Sequence, residues 1–61
     1  MKDKELEALK HAVKASRKYG YVEMLKIDAI KYLMRRCENA GCSDEEIKTA
    51  VEEAYFNDWF Y

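Results

Sequence analysis

The stretch Ala40-Gly41-Cys42-Ser43-Asp44-Glu45-Glu46 constrains the fold of this chain more than any other. It reads as two helices meeting at a tight turn. Gly41 lacks a Cβ and can take the left-handed conformation that closes a helix. Ser43, with Glu46 three residues later, forms a capping box that opens the next helix. A connection this short makes the helices on either side run in opposite directions. With no proline and only two glycines in 61 residues, little else interrupts the chain, and an all-α fold is predicted.

Apolar spacing divides the chain into three helices. Over 3–19, Leu6, Leu9, Val13 and Ser16 form one stripe, and Ala8, Ala12, Ala15 and Tyr19 form a second, about 120–140° round the axis. Gly20 reads as the left-handed stop of this helix, with Tyr21 folding back. Over 22–40, Val22, Leu25, Ala29, Leu33 and Cys37 make a main face, flanked by Ile27, Ile30 and Met34 on one side and Tyr32 on the other. That arc is wider than the ~100° stripe of a surface helix, which predicts a helix at the centre of the fold with two neighbours. Over 44–57, Ile47, Ala50, Val51 and Ala54 face inward, while Glu45, Glu46, Lys48, Glu52 and Glu53 face water. The expectation is a single domain, a three-helix hairpin or bundle packed antiparallel in sequence. Its predicted core is Leu6, Leu9, Val13, Val22, Leu25, Ile30, Leu33, Ile47, Val51 and Ala54.

Size sets a second limit. A domain this short buries only ~60% of the surface its unfolded chain exposes, so small domains commonly rely on disulfides, a metal or a second subunit. Two cysteines and one histidine make neither a disulfide framework nor a closed zinc site. That leaves self-association, and a symmetric homodimer is expected. The N-terminus has no apolar stretch of the secretory kind, and no apolar run is long enough to cross a membrane. The expected compartment is the cytoplasm, with Cys37 and Cys42 reduced. Their spacing is compatible with a bridge across the turn. Cys37 lies on the core face, whereas Cys42 is expected to be the more exposed.

Charge is split along the chain. Residues 1–37 hold ten Lys or Arg against five Asp or Glu, a net +5; residues 38–61 hold one Lys against seven acids, a net −6. Within a compact fold the two halves attract. Acids Asp3, Glu5 and Glu7 precede bases Lys10, Lys14, Arg17 and Lys18, as the helix dipole favours. The joint resembles a helix-turn-helix in spacing over about twenty residues, with Gly41 in the turn and Ile47 and Ala50 following at core positions. It departs from that pattern at Arg36, in a position usually apolar. It departs again in the would-be reading helix, whose Asp44, Glu45, Glu46, Glu52 and Glu53 would repel phosphate. A nucleic-acid reading would have to use Lys10, Lys14, Arg17 and Lys18, joined by Lys31, Arg35 and Arg36.

The most unusual feature is the C-terminal cluster Tyr55, Phe56, Trp59, Phe60 and Tyr61. It gathers five of eight aromatic residues into seven positions. Continued as a helix, it pairs Tyr55 with Trp59 and Phe56 with Phe60, off the Ile47–Ala54 stripe. It serves either as a plug over the bundle or as a contact surface. No Ser/His/Asp order, phosphate loop or Glu-x-x-His pair accompanies it, and His11 sits on a polar face. The chain therefore reads as non-enzymatic, without cofactor or metal. The expected role is a small regulator or inhibitor that binds another protein through Glu45, Glu52 and the aromatic C-terminus, and its size suits a phage or mobile-element accessory protein. The alternative is a nucleic-acid-binding regulator acting through the basic face.

Overall fold

The computed structural model describes residues 2–56. They form α1 (Lys2–Ala15), α2 (Tyr21–Leu25), α3 (Asp28–Asn39) and α4 (Asp44–Phe56), with no strand among the described residues. The all-α expectation holds, but the described helices number four rather than three.

The α3–α4 joint follows its sequence closely. Gly41 takes φ +100°. The Gly41 N–H donates to the Glu38 carbonyl at 3.0 Å and the Cys42 N–H to the Cys37 carbonyl at 3.0 Å, the paired bonds of a Schellman turn. Beyond it, the Ser43 N–H donates to Glu46 Oε1 at 2.9 Å, and the Glu46 N–H donates back to Ser43 Oγ at 3.1 Å. Nothing lies within 4 Å of a Cβ built on Gly41, so Gly41→Ala acts through backbone strain alone. It is expected to cost ~1–2 kcal/mol, and Ser43→Ala ~1 kcal/mol through the lost cap. Urea unfolding followed by circular dichroism checks both: each should lower the midpoint while the native helical signal stays unchanged.

The single helix expected over 22–40 is broken. α2 ends in a tightened turn in which the Lys26 N–H bonds Glu23 and the Ile27 N–H bonds Met24, at 3.0 and 3.1 Å. Ile27 is then extended (φ −68°, ψ 131°) and caps α3. In one straight helix Met24 would point about 120° away from Ile30, at 100° per residue. With the break, both are buried, at 0% and 1% exposure. Val22, expected in the core, pays for that rotation and is 62% exposed.

Helix α1 also ends earlier than its stripe suggests. From Ser16 onward the turns tighten, with the Arg17 N–H donating to Lys14 and the Tyr19 N–H to Ser16. Gly20 is not left-handed: at φ −63° and ψ 157° it is the extended N-cap of α2, and its carbonyl accepts the Met24 N–H at 2.8 Å.

The centre of the fold is α1, not the segment 22–40. It packs against both α3 and α4, which touch each other far less. Leu9 and Val13 are completely buried on its inner face. The charges on its two edges fix the neighbours: Lys2 Nζ meets Glu46 at 2.9 Å and Lys10 Nζ meets Glu53 at 4.0 Å, so α1 and α4 run parallel. Glu5, near the start of α1, is held by Arg36, near the end of α3, so those two run antiparallel. Of the remaining expected core, Ile30, Ile47, Val51 and Ala54 are buried, whereas Leu6, Leu25 and Leu33 pack partly exposed against them. Cys42 is the more exposed of the two cysteines, at 7% against 0% for Cys37, but both are buried in the same cluster.

Candidate functional site

Two surfaces meet at the C-terminal end of α4. The first is a ridge along its outer side. Glu45, Glu52 and Phe56 are spaced by seven and four residues, which places them on one strip, about half a turn from the buried Ile47, Ala50, Val51 and Ala54. Glu45 is exposed, Glu52 half-buried, and Phe56 61% exposed. Glu46, expected on that wet face, instead turns toward α1. There the Ser43 cap and Lys2 hold its carboxyl below the usual range.

The second surface is a groove of about 430 Å³ between α2, α3 and α4. Tyr21, Leu25, Met34, Ile47 and Val51 supply its apolar lining, and Glu38, Asp44 and Lys48 stand at its edge. It exists because α3 and α4 each lean on α1 rather than on one another. Tyr21 links the groove to the ridge. Its ring meets Tyr55 edge-on and stacks on Phe56, both with centroids at 5.2 Å. Burial, and then the nearby Glu52 charge, push the Tyr21 hydroxyl above its ordinary pKa.

The two described members of the aromatic cluster therefore differ. Tyr55 turns inward, and its hydroxyl donates to the Tyr19 carbonyl, pinning the end of α4 to the α1–α2 connection. Phe56 is stacked yet open, at 61% exposure. Trp59, Phe60 and Tyr61 lie outside the described residues, as do their expected pairings with Tyr55 and Phe56.

The bases of the alternative reading are largely occupied within the fold. Lys10 faces Glu53, Lys14 and Arg17 are engaged, and Lys18 lies 5.4 Å over the Tyr19 ring. Arg36 grips both oxygens of Glu5 at 3.0 Å and donates to the Tyr32 hydroxyl at 3.1 Å. This fork explains its departure from the helix-turn-helix pattern, because it ties α3 to α1. It raises the Arg36 pKa and lowers that of Glu5. Lys31 and Arg35 are exposed.

Among the described residues, no three His, Cys, Asp or Glu side chains gather as a metal site. Nor is any helix there long and apolar enough to cross a membrane. The groove is not legible in the sequence, where Leu25 reads as core and Met34 as a flank of the apolar arc over 22–40. Its one signal was the excess width of the apolar arc over 22–40. No family model, curated protein or solved structure matches the chain.

Proposed function

We propose that this chain is a small cytoplasmic, non-catalytic regulator or inhibitor that works by binding another protein. Its contact surface is the open aromatic end of α4 together with the acidic ridge. The observation that carries the reading is Phe56: a large apolar ring, 61% exposed, stacked on Tyr21 at the head of an apolar groove. Contiguous exposed apolar surface on so small a domain marks a contact site. Glu45 and Glu52 beside it, with Glu38 and Asp44 along the groove, suit a partner that presents apolar side chains among bases.

The same surface supports self-association, and a symmetric homodimer is the proposed assembly. Sedimentation at micromolar concentration is expected to show twice the 7.2 kDa chain mass. A purely monomeric boundary would remove the dimer.

Nucleic-acid binding through Lys10, Lys14, Arg17 and Lys18 is the competing reading. Ion pairing inside the fold weakens it, because each base already engaged must exchange a partner before it can neutralise a phosphate. A mobility-shift assay across salt concentrations tests the choice. No tight shift is expected at physiological salt. A tight shift that falls steeply with salt and disappears when the four bases are reversed to acids would overturn the protein-binding proposal.

A further inference from the structure

A Schellman turn does more than end a helix: it sets the third residue from the helix end against the residue after the left-handed one, commonly as an apolar pair. In this joint, with Gly41 at the left-handed position, those two residues are Cys37 and Cys42. The Cys42 N–H is bonded to the Cys37 carbonyl at 3.0 Å, both thiols are free, and both sit in the same buried cluster. The backbone bond sets the two residues side by side, and both side chains enter the same buried cluster.

We propose that Cys37 and Cys42 form a reversible dithiol–disulfide pair, a redox modification site built into the α3–α4 joint. The turn already holds the two residues side by side, so little of the entropy of closing the loop remains to be lost when the bond forms. The oxidant class is a small disulfide such as glutathione disulfide. Cys42, at 7% exposure against 0% for Cys37, is reached first. Its thiolate attacks one glutathione sulfur, forms a mixed disulfide and releases one glutathione thiolate. The Cys37 thiolate then attacks the Cys42 sulfur and expels the second. The two protons lost by the cysteines are taken up by the two glutathione thiolates. Two protein thiols are thus oxidised and one small disulfide is reduced. Burial pushes the Cys37 thiol up to about 11, so the second step is slow at neutral pH and the pair is best read at equilibrium. The bridge would tie the end of α3 to the start of α4, where Glu38 and Asp44 edge the groove.

The test equilibrates the whole chain in glutathione redox buffers, with and without denaturing urea, followed by acid quenching and intact mass measurement. The expected native product is a monomeric chain lighter by two hydrogens with its helical circular dichroism intact. Its bridging equilibrium constant should be at least ~tenfold larger than in urea, because the folded joint pre-organises the pair. Cys42→Ser should abolish the two-hydrogen loss. The proposal fails if the native constant is equal to or below that in urea. It also fails if both thiols survive oxidation in the native state, if helicity is lost on bridging, or if only cross-linked dimers form.

Discussion

Replacing Leu9 by alanine is expected to cost ~2–5 kcal/mol and to leave a large fraction of the chain unfolded at room temperature. Leu9 is wholly buried, on the one helix that both α3 and α4 pack against. A void there loses contacts to two helices at once, and a chain this short has little further core with which to compensate. Met24→Ala should fall in the same range, since Met24 is also completely buried. Val22→Ala should stay within ~0.5 kcal/mol, because Val22 is 62% exposed. Urea unfolding of the three variants checks the helix break as well as the core. An unbroken helix over 22–40 would reverse the order of Met24 and Val22.

What could be read from the sequence follows from how local each cause is. The α3–α4 joint depends on residues within a few positions of one another: Gly41 for the left-handed turn, Ser43 and Glu46 for the cap. Both features are present as expected. The break at Lys26-Ile27 has no proline or glycine to announce it. It arises because Met24 and Ile30 must share one core, a demand set by α1 and α4 rather than by the segment itself. Gly20 departs from its sequence signal for a related reason: a glycine after a helix signals a left-handed stop only when nothing new starts there, and here α2 starts at once. The central position of α1 was hidden because its narrow stripe of Leu6, Leu9 and Val13 looks like a surface helix. Ion pairs along both edges, to Glu46 and Glu53 on one side and from Glu5 to Arg36 on the other, give it two partners.

The same reasoning applies to the candidate site. The strip Glu45, Glu52 and Phe56 was legible because it lies within one helix and obeys one period. The groove was not, since its lining comes from three helices whose angles only the packing decides. The charge split along the chain is visible in the sequence, and part of it is structural: Lys2 and Lys10 from the basic half pair with Glu46 and Glu53 of α4.

The second large effect concerns binding. Phe56→Ala is expected to weaken partner binding by ~2 kcal/mol or more, roughly thirtyfold, in keeping with an aromatic anchor at the centre of a contact. Because Phe56 is mostly exposed, and Tyr55 rather than Phe56 pins the end of α4, this change should leave folding nearly intact. Binding and stability are thereby separated, which the buried Leu9 does not allow.

The most direct measurement is affinity capture from a cell extract with three baits run side by side. These are the unmodified chain, a Glu45→Lys, Glu52→Lys, Phe56→Ala variant, and a variant with Lys10, Lys14, Arg17 and Lys18 reversed to acids. Circular dichroism first confirms that all three are helical. The expected result is a protein retained by the unmodified chain and by the basic-face variant but lost from the α4 variant. Retention by the α4 variant, together with loss from the basic-face variant, would contradict the proposed contact surface.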